Sequence, residues 1–451
     1  MSPQKSFLKF WSLDQSKSVP NFLALAAKSQ LPPKDEASGR KPAPTTPNEA
    51  ARESKNQQRR AYLLRELNES HWRNTSALVS SLEEIQLHQL SPLQNCEAVA
   101  AILQILQRTR LSKQLALTAV GALKGFLQDQ CEGEECSPEE ESSYIHFGAS
   151  HECLSRVLQS ILLDDKMDCG SGRLQLATLT CLVYLVTHGN GAGYIETGPV
   201  LICMAGYQGD SYVTTVATTL LKELLIHGAD PEKAIPEGAI ELLCRIFSAT
   251  ERRKTTVLLE TLVLLVTAHP LGRALLHQTT RLPNNLARLL SLLSFSSEHV
   301  TVSSSLRLIA VIIQGRADLK QVVMKSKHLP SLGRLLEQDS SSLHLDDTLR
   351  VISYLVHGNE VSATPLVPFV PTLLRIVAKD TDIHGGRVAA CSVLTELCMY
   401  SHLARTAILH HVNGLSSLLS ILPGEEGKVL HSVLSDNLNH VETAQEDVPR
   451  M

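Results

Sequence analysis

The residues whose types and spacing best suit chemistry lie near the start of the chain, and that chemistry is recognition. In Gln4-Lys5-Ser6-Phe7-Leu8-Lys9-Phe10-Trp11 a single helical turn throws Phe7 and Phe10 to one side and sets Trp11 over the edge. Large anchors of this kind dominate short-motif interfaces. The other reactive groups read as structure. Cys131 and Cys136 with His146 and His151 match no standard zinc spacing. The pairs His188-Gly189, His227-Gly228 and His357-Gly358 end equivalent helices, where a histidine suits the dipole. The run GNGAG at 189–193 follows a helix rather than a strand and is expected to be a turn. With no G-x-S-x-G, P-loop, dinucleotide fingerprint or H-E-x-x-H, an enzyme is not expected, nor a cofactor or metal.

A second island, Asn56-Gln57-Gln58-Arg59-Arg60-Ala61-Tyr62-Leu63-Leu64-Arg65-Glu66-Leu67, has the pattern of a basic amphipathic helix. It suits helix-in-groove docking, with cations steering toward an acidic partner. Charge is uneven along the chain. Residues 1–60 carry 11 Lys/Arg against 5 Asp/Glu, a surplus of 6, so a net charge of −4 leaves −10 on the remainder. An acidic body argues against the body itself gripping nucleic acid.

These islands precede a pattern that must position everything after them. The apolar pair Leu182/Leu185 returns as Leu221/Leu224, Leu262/Leu265, Leu308/Val311, Ile352/Leu355 and Leu394/Leu397, with first members 39, 41, 46, 44 and 42 residues apart. In phase with it, Pro199, Pro236, Pro283, Pro330 and Pro371 each precede a short apolar run. Proline fits the first turn of a helix, where its missing N–H would be unpaired anyway. Helices recurring at this period imply a stacked array.

The expected organisation follows from composition. Residues 1–55, with five prolines between 31 and 50, form a disordered basic tail with linear motifs. Residues 56–90 form an amphipathic helical segment, and 92–435 the repeats, with six of them from Gly172 to about Leu422. An acidic loop with six glutamates interrupts at 129–146, and 436–451 form a flexible tail. Cys181, Cys203, Cys244, Cys391 and Cys398 lie in apolar helical runs, where cysteine acts as a small core residue. No secretory leader pattern and no apolar run of membrane length is present, so cytosol or nucleus is expected.

Over residues 92–435 the pattern resembles the armadillo and HEAT families. The resemblance implies an all-α fold, a right-handed α-α superhelix or solenoid, that binds proteins. Members that read extended basic peptides present a Trp and Asn ladder. Here Trp11 and Trp72 both lie outside the repeats. The first island resembles the PIP box, the peptide that docks on the sliding clamp PCNA; Gln4, Phe7, Phe10 and Trp11 hold the matching positions, with Phe7 where Leu, Ile or Met is usual. The second is similar to the helix by which repair proteins bind replication protein A, with Arg60, Ala61, Leu63, Leu64 and Arg65 matching. Together these resemblances imply a nuclear adaptor at replication or repair sites. The alternative is a general protein scaffold, in the cytoplasm, with no link to DNA.

Overall fold

The computed structural model describes residues 55, 58–59, 61–63, 75–85, 92–107, 111–132, 148–164, 172–188, 191–207, 211–227, 238–251, 255–268, 270–279, 281–295, 298–337, 344–357, 363–378, 384–411 and 418. The tail residues Gln4, Phe7, Phe10 and Trp11 lie outside them, as do Arg60, Leu64 and Arg65. Every regular segment among the described residues is helical. The chain divides into two compact units, residues 1–126 and 127–451.

The first unit contains α1 (Thr75–Ile85), α2 (Pro92–Leu106) and most of α3 (Lys113–Glu132). Buried side chains recur at helical spacing: Leu78 and Leu82 on α1, Ala98, Ile102 and Ile105 on α2, Val120 and Leu123 on α3. This is the apolar stripe that drives such helices together. Helix α3 runs to Glu132, so the first four residues of the expected acidic insertion are its last turn.

The second unit is a double layer. One row consists of α4 (Gly148–Leu163), α6 (Thr197–Gly206), α8 (Ala239–Ala249), α11 (Leu282–Phe295), α14 (Leu329–Glu337) and α16 (Val370–Ala378). The other consists of α5 (Arg173–His188), α7 (Ser211–Ile226), α9 (Thr256–Ala268), α12 (His299–Ile313), α15 (Leu345–Val356) and α17 (His384–Tyr400). Each helix packs on its predecessor and successor in its own row, and on its sequence neighbour in the opposite row. Short elements join the layers: α10 (Pro270–Gln278), α13 (Ala317–Met324), α18 (His402–His410) and 3-10 turns at Gly191–Tyr194 and Thr364–Phe369.

The repeating marker residues explain the stacking. All twelve members of the recurring apolar pair sit on the second row and are buried, from Leu182 at 0% exposure to Val311 at 9%. The prolines open first-row helices: Pro283, Pro330 and Pro371 are the second residue of α11, α14 and α16, and Pro199 the third of α6. In these four helices proline thus stands in the first turn, where the missing N–H costs nothing. Helix α12 stops at Gly315, whose φ of 75° is the left-handed conformation only glycine takes readily. Helix α18 is capped by Ser401, whose Oγ accepts from the Ala404 amide at 3.2 Å.

Two sequence expectations change in detail. The glycine-rich run expected to be a turn holds a 3-10 turn at Gly191–Tyr194, which extends one residue past it. Its cause is packing: a Cβ on Gly191 would lie 2.7 Å from the Leu185 carbonyl oxygen. Cys181, Cys203 and Cys244 are buried as expected, but Cys391 and Cys398 on α17 are only partly so.

Candidate protein-docking faces

Because the second-row helices lie side by side, their outward stripes join into one long face. The stripe is built by the same i, i+3/i+4 rule as the core stripe, turned toward solvent. On α7 it comprises Thr215, Thr219 and Lys222, and on α9 Val257, Glu260 and Leu264, all partly exposed. Threonine is tolerated in these helices because its hydroxyl turns back onto the chain. Thr218, Thr261 and Thr267 each donate to the carbonyl four residues earlier at 2.7 Å, which satisfies the group without a partner.

Polar pairs one repeat apart cross-link this face. Lys222 Nζ meets Glu260 Oε2 at 2.9 Å, joining α7 to α9. At the α9–α12 junction Glu298 Oε2 accepts from Thr256 at 2.6 Å and Thr301 at 2.7 Å. Those two hydrogen bonds hold the Glu298 carboxyl below its ordinary range. The densest junction joins α12 to α15. Asp347, with 7% of its side chain exposed, accepts from Ser303 Oγ at 2.7 Å and from Arg307 Nε at 3.0 Å. Hydrogen bonds to charged groups contribute about 1.5–3 kcal/mol. Arg307 is 53% exposed, so its share is screened toward the low end. Beside this carboxylate, His299 and His344 stack with ring centroids 5.2 Å apart, and Nδ1 of the first lies 3.0 Å from Nε2 of the second. Burial, and then the His299 charge, lower the His344 pKa against an opposing effect of Asp347. Further along, Lys320 Nζ donates to the His357 carbonyl at 2.6 Å, and His357 Nδ1 lies 3.2 Å from Glu396 Oε1.

The first row is tied differently, through buried amides and hydroxyls. Asn285 Oδ1 accepts from Ser248 at 2.8 Å and its Nδ2 donates to the Cys244 carbonyl at 3.3 Å. Ser294 reaches both His328 Nδ1 at 2.8 Å and Ser331 Oγ at 2.7 Å. Cys244 is not a nucleophile: burial first, and Glu241 second, push its pKa up to about 12, so the reactive thiolate is suppressed. Among the described residues no group of three or more His, Cys, Asp or Glu side chains is placed to hold a metal ion. No described helix is long and apolar enough to cross a membrane.

Of the predicted motif residues, Ala61 and Leu63 fall within the described residues, beside Arg59 and Tyr62. Ala61 is exposed, whereas Leu63 is buried at 1%. Tyr62 is 51% exposed with the Arg59 guanidinium 5.2 Å above its ring. Arg59 in turn donates from Nε and Nη2 to the two oxygens of Glu84 on α1, at 2.6 and 2.7 Å. Leu63 thus faces inward while Ala61 and Tyr62 face outward. The cross-repeat ladder was not anticipated from the sequence. Its only signal there was polar residues separated by one repeat period, as with Arg307 and Asp347.

Comparison with known proteins bears on the fold. No protein-family model matches the sequence, and no curated protein matches it. Solved structures do. A chain from a structure concerned with the interaction between cadherin and beta-catenin superposes with a TM-score of 0.61 at 12% identity, covering 86% of this chain and 74% of that one. The crystal structure of an engineered protein superposes with a TM-score of 0.55 at 14% identity, covering 81% and 85%. The fold is an armadillo-type α-solenoid.

Proposed function

We propose that the chain is a non-catalytic adaptor of nuclear replication or repair sites. In this reading the N-terminal tail tethers it to PCNA through Gln4, Phe7, Phe10 and Trp11, and the repeat body holds a further protein. The observation that carries the binding role is the continuous second-row face: successive helices close their apolar sides on one another, so their outward stripes form a ridge rather than a cleft. Stacks of this kind serve as extended binding surfaces. The tether rests on the residue pattern of the tail and its surplus of positive charge. A helix including Arg60, Ala61, Leu63, Leu64 and Arg65 would add replication protein A as a second partner. A labelled peptide of residues 1–20 should bind the clamp at micromolar strength and lose binding when Phe10 and Trp11 become Ala. Unchanged binding by that double variant removes the tether.

One observation favours a second reading, a general scaffold without a link to DNA. Leu63 is buried and Arg59 is paired with Glu84, so the second island is engaged in its own unit. Deleting residues 1–50 separates the two readings. The adaptor loses recruitment to replication or damage foci, whereas the scaffold keeps its location.

A further inference from the structure

The first row carries a second ladder, and it is made of arginine. Four successive helices share one local pattern, Leu-x-Arg followed by two apolar residues: Leu243 to Phe247 on α8, Leu286 to Leu290 on α11, Leu332 to Leu336 on α14, and Leu373 to Val377 on α16. The flanking apolar residues are buried in every case, so Arg245, Arg288, Arg334 and Arg375 occupy the same outward register. Arg334 and Arg375 are exposed, and Arg245 and Arg288 partly so. Each of these helices packs on the next, which sets the arginines at the spacing of neighbouring helix axes, about 8–10 Å.

At Arg334 and Arg375 the described partners are neutral. Arg334 donates to Ser331 Oγ at 2.9 Å and Arg375 to Thr372 Oγ1 at 3.3 Å, both hydroxyls of their own helices. Arg245 Nε is buried without an acceptor. Arg288 reaches back to α8, donating to the Ser248 carbonyl at 3.0 Å and to the Thr250 carbonyl, and lies 4.9 Å over the Phe247 ring. It links the first rung to the second. Arg334 and Arg375 sit in last turns, where a cation suits the helix dipole. That role needs no alignment from helix to helix.

We propose that this ladder docks an extended acidic segment of a partner protein. A segment in the extended polyproline II conformation advances about 3.1 Å per residue with three residues per turn, so carboxylates at every third position share one face, about 9 Å apart, and fall on successive rungs. Single-stranded nucleic acid would also supply anions, but its binding sites add aromatic stacking platforms. The first-row helices expose no aromatic ring among their described residues; the large apolar side chain they expose is Ile202. That residue takes the arginine's place on α6 and ends the run on that side. The proposal rests on the reading of the body as a protein-binding surface and is independent of the tail.

The test uses the full-length chain and fluorescence anisotropy with two labelled peptides of equal composition. One has glutamate at every third position, the other has its glutamates contiguous; oligothymidylate is the competitor. The spaced peptide should bind more tightly. Arg334→Ala and Arg375→Ala should each weaken it about fivefold, the loss expected for an exposed ion pair, with the helical circular dichroism unchanged. Equal binding of both peptides, no effect of either arginine variant, or displacement by oligothymidylate would overturn the proposal. So would tighter binding after the glutamates of 129–146 are changed to glutamine, which would give the ladder to the chain's own acidic segment. Clamp binding by residues 1–20 is read separately, so either result stands without the other.

Discussion

Gly272→Ala probes how the short elements close each repeat. A Cβ at Gly272 would lie 2.5 Å from the Leu265 carbonyl oxygen and 3.1 Å from Val266 Cα. Side-chain Cβ atoms keep at least 3.0 Å, so α10 must retreat from α9 by 3.0 − 2.5 = 0.5 Å or more. The obstacle is backbone, which cannot swing aside. Overpacking of this sort costs about 1–3 kcal/mol, while alanine in place of a helical glycine contributes about 0.5–1 kcal/mol in the other direction. The net loss is about 0–2.5 kcal/mol, and its midpoint of about 1 kcal/mol is roughly fivefold in a local opening equilibrium. Gly125→Ala, inside α3 with nothing within 4 Å of its Cβ, should instead stabilise its helix by about 0.5–1 kcal/mol. A chain of two units has no single well-defined midpoint, so hydrogen exchange by mass spectrometry is the suitable assay. Peptides from α9 and α10 should exchange faster in Gly272→Ala, and α3 peptides more slowly in Gly125→Ala. If Gly272→Ala slows exchange as Gly125→Ala does, the close approach of α10 to Leu265 is wrong.

Two further outcomes follow from the cross-repeat contacts. His344 has its pKa lowered by burial and by His299, so the unfolded chain takes up the proton more readily. The stability this contributes is present above the ordinary histidine range and is lost as pH falls through it. Lowering the pH from about 7 to about 5 should reduce the protection factors of α15, that is, exchange corrected for the intrinsic pH dependence of the amides. Asp347 and Glu298 are the acids beside the histidine pair, and His344→Phe should remove that loss of protection. Asn285→Leu breaks the amide link from α11 to Ser248 and Cys244 on α8. It should cost about 1–3 kcal/mol, read as faster exchange in both helices, and an unchanged rate would show that the link carries no stability.

The two layers were legible because core residues obey a period that chain chemistry enforces. Leu182/Leu185 and its five successors must face the neighbouring helix in every repeat, and Pro283, Pro330 and Pro371 are admissible only where a helix begins. The short third elements were less legible. Helix α10 and the Gly191–Tyr194 turn are placed by close approach to Leu265 and Leu185, a constraint on distance rather than on pattern. The run SYVTTVATTLL of α7 has the β-branched composition of a strand and is helical because tertiary packing overrides propensity, with the threonine hydroxyls bonded to their own backbone. The polar ladder was hidden for another reason. Ser303, Arg307 and Asp347 are ordinary surface residues in sequence, and only stacking brings the buried carboxylate between the other two. The arginine register at 245, 288, 334 and 375 was in plain view as Leu-x-Arg, yet its meaning depends on the helices standing side by side.

A stack of interchangeable repeats is tested most directly by removing one whole period. Deleting residues 283–329 joins Leu282 to Pro330 at equivalent places, since Leu-Pro opens both α11 and α14. In a solenoid each repeat depends only on its neighbours, so α8 should then pack on α14 and α9 on α15. Far-ultraviolet circular dichroism of the shortened chain should keep the parent's helical signal per residue, and hydrogen exchange should show α8, α9, α14 and α15 still protected. A collapse of that signal to coil would contradict the account.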